Sequence, residues 1–321
     1  MFVIIIIPTL IVAPYAKENI HQSIQEERII DEFTDEADPL ALTVSVMRES
    51  TNEIESVPLE KYVIHVLASE MPVDFEMEAL KAQSLAARTY IVNYLLLHQD
   101  DSNSNITDTT LHQVYKNETE LQEQWGAKYH ANMQKLTEAV ESTKGQIITY
   151  QEQPITAAYF STSNGYTENS EDYWENEIPY LRSVESPWDE DSPMFLDQEI
   201  FTIEEVETAL GVTLPKNTTI PIEITRTNSN RVKQINIGDH SFSGRDIREK
   251  LALKSNDFTI KQNHDHLVFT TKGYGHGVGM SQYGANGMAK EGKTYDEIIK
   301  HYYQNIEISS VNEIAPTLVS K

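Results

Sequence analysis

The sequence predicts an α+β fold in which a central buried helix pair is walled by β-rich segments that form a cleft. Three observations carry this. Leu59, Tyr62, Val63, Val66 and Leu67 fall at i, i+3, i+4, i+7 and i+8, the apolar stripe of a helix packed on a core. From Met77 to Leu96 the chain is apolar or small around most of a helix's circumference, with alanines at 79, 82, 86 and 87, so a second helix is expected to be buried. Short alternating or β-branched runs flank this pair, among them 40–46, 146–150 and 221–226.

In chain order, Leu40, Leu42, Val44 and Val46 alternate with Ala41, Thr43 and Ser45, a strand that opens the folded part. On the first helix Glu70 is the next position of the apolar stripe, and Pro72 ends the helix there by disfavouring helical backbone at Met71. A carboxylate carried inward at the negative end of the helix dipole favours its protonated form, the state that proton donation to a leaving group requires. Spacing alone leaves two readings, such an acid or a solvated glutamate at a frayed end. Asp74 is the expected N-cap of the second helix, with Glu76 and Glu78 in its first turn. Arg88 lies among Ser84, Leu85, Val92 and Leu95, so its guanidinium needs a carboxylate, carbonyls or a polar ligand.

Residues 99–110 read as a loop, 111–117 as extended, and about Leu121 to Thr143 as a helix that Gly145 ends. QIITY (146–150) and ITAAYF (155–160) flank a turn and predict a hairpin. The polar loop STSNGYTENSEDYW (161–174) has the hydroxyls, amides and aromatics of sugar recognition, which are also ordinary turn residues. Residues 199–271 read as a small inserted α/β subdomain: helices at 203–210 and 244–252, strands at 221–226, 231–238, 257–262 and 266–271. His264 and His266, with Asn263 and Asp265, suggest a hydrated turn rather than a metal site. Glycines at 273, 275, 277 and 279 put His276 on a tight loop feeding a helix near Ser281. His276 is a second proton-transfer group, a substrate contact or a structural hydrogen bonder. No Gly-Lys-Ser/Thr ending follows these glycines, which argues against a phosphate loop.

Composition excludes several classes. A net charge of −25, from 25 basic and 50 acidic residues, opposes nucleic-acid binding. Without cysteine there are no disulfides, thiol nucleophiles or thiolate metal sites. Residues 1–16, MFVIIIIPTLIVAPYA, are short for a full span of about 20 residues. They lack a basic leader and a good cleavage site, so an uncleaved membrane anchor is expected ahead of a secretion signal. An acidic tether (17–39), the folded part (40–310) and a C-terminal tail (311–321) follow.

Three blocks carry a family resemblance: LASEMPVDFEMEALKAQSLAARTY, the 161–174 loop with PYLRSVESPWD, and GYGHGVGMSQYGANGMA. In this order they resemble the stage II sporulation protein D family, which includes amidase-enhancer proteins of cell-wall turnover. The resemblance implies a lytic transglycosylase that cleaves peptide-stripped peptidoglycan glycan strands during engulfment of the forespore. It places Glu70, in the family's A-x-E-M-P motif, as the catalytic acid. Arg88 would bind substrate or orient Glu70, and Ser161, Ser163, Tyr173, Tyr180, His276 and Gln282 would line the cleft. It implies a mother-cell membrane protein facing the forespore, partnered by a sporulation amidase (stage II sporulation protein P) and a membrane scaffold (stage II sporulation protein M). The alternative it implies is a wall-binding module without enzymatic activity that stimulates an amidase. Some members hold a metal in a segment like C-D-T-T-H-C-Q-V-Y. Here Thr107, Leu111 and His112 stand at those positions, so neither metal nor other cofactor is expected.

Overall fold

A computed structural model describes residues 42–99, 105–215 and 218–319. The expected anchor and tether lie outside the described residues, among which no helix is long and apolar enough to cross a membrane. The architecture is α+β, in two compact units. Of the described residues, the first takes 42–73, 105–138 and 317–319, and the second takes 74–99, 139–215 and 218–316.

In the first unit, Thr43–Arg48 pairs antiparallel with Glu53–Pro58 and parallel with Ile106–Thr107. The strand at 53–58 was not anticipated; with two of its residues in three exposed, its sequence shows no buried periodicity. The helix Leu59–Glu70 follows directly, and all five residues of the expected stripe are buried. It ends at Glu70 as Pro72 demands, with Met71 in extended backbone. Of the segment 111–117 expected to be extended, Leu111 and His112 lie in a turn closed by the His112 N–H on the Thr109 carbonyl, and only 113–117 runs on without ladder pairing.

In the second unit, Met77–Leu97 is the buried helix, with every residue from Ala82 to Thr89 buried. Its N-cap is Glu76 and not Asp74. Tertiary contacts set this start: the Glu76 N–H donates to Asn286 Oδ1 at 2.8 Å, and Phe75 packs edge-on to Tyr283.

The helix expected over 121–143 is two. Asn117 and Glu120 form a capping box that starts Glu118–Trp125. A 3₁₀ turn at Gly126–Lys128 then separates it from Tyr129–Glu141. The hairpin is also shorter than expected. Gln146–Tyr150 pairs with Gln153–Pro154 around Gln151 and Glu152, both with positive φ, and its other edge takes Glu307–Ser310. Tyr159–Phe160 leaves this sheet to pair in parallel with Met280–Ser281. A partner 121 residues away leaves no local signature.

Residues 196–272 form two antiparallel three-stranded sheets. One orders Phe258–Asn263, His266–Lys272 and Leu196–Thr202; the other orders His240–Ser243, Val232–Ile237 and Ile222–Arg226. With the helices Ile203–Leu210 and Gly244–Lys250 they share a core that includes Val206, Ile235, Ile247, Phe258 and Phe269. The strand at 196–202 starts before the expected boundary at 199. The stretch after 310, read as a tail, starts with the helix Val311–Ile314 and buries Val311 and Ala315.

Candidate functional site

Glu70 belongs to the first unit. Arg88, Ser161, Ser163, Tyr173, Tyr180, His276 and Gln282 belong to the second.

The Glu70 side chain is half-buried at the last position of its helix, and Oε1 accepts the Val114 N–H at 3.0 Å. A backbone donor fixes the carboxyl without adding a mobile partner. The segment carrying that donor is stitched to the helix through its neighbours. Tyr62 donates its hydroxyl to Gln113 Oε1 at 3.2 Å. The Tyr115 ring stacks on Tyr62, with centroids 5.6 Å apart and planes 9° from parallel, and on His65 at 5.5 Å. His65 is buried, and desolvation helped by the charge of Lys61 lowers its pKa to about 4, so it is neutral near pH 7. His112, expected at a ligand position in some relatives, instead accepts from the Thr107 N–H and lies 2.8 Å from the Thr107 hydroxyl through Nδ1.

In the second unit Arg88 has no exposed surface. Its guanidinium donates to the Gln146 carbonyl at 3.1 Å, the Val140 carbonyl at 3.2 Å and, at 3.4 Å, to the Thr143 hydroxyl. It thereby ties its helix to the end of Tyr129–Glu141 and the start of the following strand. In this structure the guanidinium expected to bind substrate or orient Glu70 therefore braces backbone carbonyls.

Ser163 is likewise fully buried. Its N–H and hydroxyl both donate to Asp189, at 2.8 and 2.9 Å, and Ser186 and Ser281 donate hydroxyls to the same carboxylate. Burial raises the Asp189 pKa against the pull of these four donors. Gln282 is buried beside this network, with Nε2 lacking a hydrogen-bond partner. Ser161 is half-buried, and its carbonyl accepts from the Tyr283 N–H at 3.0 Å. The Tyr180 hydroxyl accepts from the Thr156 N–H at 2.9 Å, a brace at the turn leading out of the hairpin.

Tyr173 and His276 do come together. The His276 ring lies 5.7 Å from Phe160, 5.7 Å from Tyr173 and 5.6 Å from Trp174. Nδ1 accepts the Val278 N–H at 3.1 Å, which puts the ring proton on Nε2. Close packing, and then the charges of Arg248, Arg231 and Arg245, lower its pKa to about 3. With its pKa held low, His276 is neutral near pH 7. The glycines hold it by close approach. A Cβ on Gly277 would sit 2.5 Å from the Arg231 guanidinium, and one on Gly279, at φ +81°, would sit 2.0 Å from the Ala158 carbonyl oxygen. Arg248 donates to the Tyr173 hydroxyl at 3.0 Å and Arg245 lies 5.0 Å over its ring.

Arg48, His65, Gln113 to Tyr115 and Asp189 were not singled out from sequence, and Tyr62 only as part of the apolar stripe. The available signals were Q-V-Y at 113–115, which matches the end of the relatives' metal segment, and S-P-W-D inside the second block.

Fold and site thus define an α+β protein with one backbone-anchored glutamate on one unit and an aromatic, cation-rimmed histidine on the other. A family model described as "Stage II sporulation protein" matches residues 47–150, which hold Glu70 and Val114. Stage II sporulation protein D of Bacillus amyloliquefaciens is 45% identical to the chain, over 99% of this chain and 96% of its own length. That of Bacillus subtilis (strain 168) matches at the same identity and coverage. An amidase enhancer of Bacillus subtilis is 30% identical over 76% of this chain and 40% of its own length. The chain belongs to the stage II sporulation protein D family.

Proposed function

We propose that the protein is a peptidoglycan lytic transglycosylase that acts on peptide-stripped glycan strands during engulfment. The observation that carries this is Glu70, placed at the end of its helix and anchored by the Val114 N–H, inside the segment matched by the family model. Glu70 protonates the glycosidic oxygen between N-acetylmuramic acid and N-acetylglucosamine, and the bond breaks. As a carboxylate it then takes the proton of the muramic 6-hydroxyl, whose oxygen closes on C1 to give the 1,6-anhydro sugar. No water is consumed, and one carboxyl serves both steps, unlike the two of an ordinary glycosidase. In this reading residues 1–16 anchor the protein in the mother-cell membrane, and it works beside stage II sporulation proteins P and M.

The likeness to an amidase enhancer favours a second reading, a wall-binding module that stimulates an amidase without cleaving glycan itself. The test is digestion of peptide-free glycan strands by the full chain and by Glu70→Gln. The enzyme reading expects products lighter than hydrolysis products by one water, about 18 Da, from the wild type and none from the folded variant. Glycan binding and amidase stimulation by both proteins, with no cleavage by either, would establish the module instead.

A further inference from the structure

We infer that Arg48 is a positioning residue for Glu70, acting through the seat of Tyr115. This rests on the reading of Glu70 as the acid, and every residue involved belongs to the first unit.

Arg48 is 6% exposed, and its guanidinium gathers three carboxylates. Nε donates to Asp108 at 2.9 Å, one terminal nitrogen to Glu55 at 3.3 Å and the other to Glu120. These acids come from a neighbouring strand, a loop and the first turn of a helix, so one cation locks three elements to its own strand. The same guanidinium carbon lies 5.1 Å from the centroid of the Tyr115 ring, and the Tyr115 hydroxyl donates to Glu55 at 3.0 Å. The Tyr115 N–H donates to the Asp108 carbonyl at 3.2 Å. Tyr115 is thus held at its ring, its hydroxyl and its backbone by Arg48 and two of its ion partners. The residue before it supplies the N–H that fixes Glu70. A shift of the Tyr115 ring off Tyr62 and His65 carries the Val114 donor with it, and an error of about 1 Å at a reacting group costs on the order of 100-fold in rate.

Lysine keeps the charge but offers no planar fork, so Arg48→Lys spares the net charge and loses the geometry. The full chain and its Arg48→Lys, Tyr115→Phe, Tyr115→Leu and Glu70→Gln variants are compared by two readouts. One is hydrogen exchange at the Val114 amide; the other is kcat and KM on peptide-free glycan strands. Positioning expects Arg48→Lys and Tyr115→Leu to unfold cooperatively like the wild type. Their Val114 amide exchanges at least tenfold faster, and kcat falls at least tenfold while KM stays within twofold. Tyr115→Phe keeps the ring and stays within twofold on both readouts. Wild-type exchange and kcat in Arg48→Lys and Tyr115→Leu overturn the inference, as does failure of both to fold, since positioning requires a folded state with a displaced donor. Undiminished turnover by Glu70→Gln would instead sink the acid assignment, and Val114 exchange would then decide the positioning alone.

Discussion

Replacing Arg88 by methionine keeps the length of the side chain and removes every donor. The Val140 and Gln146 carbonyls then lose charged partners at 3.2 and 3.1 Å inside the second unit. A hydrogen bond to a charged group contributes about 1.5–3 kcal/mol, and the Val140 carbonyl keeps the Thr143 N–H and hydroxyl, both at 3.1 Å. The contact with Thr143 at 3.4 Å is long and adds little. Two such bonds give a loss of about 3–5 kcal/mol, which for a domain of this size lowers Tm by roughly 10 °C. Arg88→Lys reaches one acceptor at most and falls between, at about 2 kcal/mol. Urea or thermal unfolding followed by circular dichroism measures this, alongside KM on glycan strands. The strut reading expects a lower midpoint with KM within twofold in the folded fraction. Wild-type midpoints with a KM raised tenfold or more would refute it and return Arg88 to the substrate.

The two neutral histidines make stability depend on pH. The folded pKa values of His65 (about 4) and His276 (about 3) lie below the ordinary 6.5, so the unfolded chain binds more protons between those limits and acidification costs stability. From pH 6.5 to 5 the drop is about 2–4 kcal/mol, at most about 1.4 kcal/mol per group and pH unit. His65→Gln removes about half of it in denaturant melts, and a pH slope unchanged by that substitution would show that His65 does not titrate this way. Gly279→Ala meets both a positive φ and the Ala158 carbonyl, so it should lose about 3 kcal/mol or more and part the short parallel pairing at 159–160 and 280–281; a variant melting within about 2 °C of wild type would contradict the geometry.

Much of the architecture follows from local pattern. The stripe from Leu59 to Leu67, the stop imposed by Pro72 and the alanine-rich second helix rest on side-chain periodicity and proline sterics, which act within a few residues. Both helices and four of the strands between 199 and 271 are legible for the same reason, because their alternation is short-range, whereas the strands Leu196–Thr202 and His240–Ser243 are not among the elements read from it. The break at Gly126 and the N-cap at Glu76 are not, since helix formers flank the first and the second depends on Asn286.

The site divides along the same line. The sequence by itself determined that a carboxylate stands at the end of the first helix, that the chain excludes thiol chemistry, and that glycines crowd around His276. Tertiary structure alone decided what each group meets. It gave Glu70 the Val114 N–H, 44 residues away. It turned Arg88 into a strut beneath backbone carbonyls and drew Ser163 onto Asp189. It surrounded His276 with three arginines and three aromatic rings, leaving it neutral. Residue type fixes which interactions a side chain can make, but burial and partners come from chain segments distant in sequence, and those set its charge state and its role.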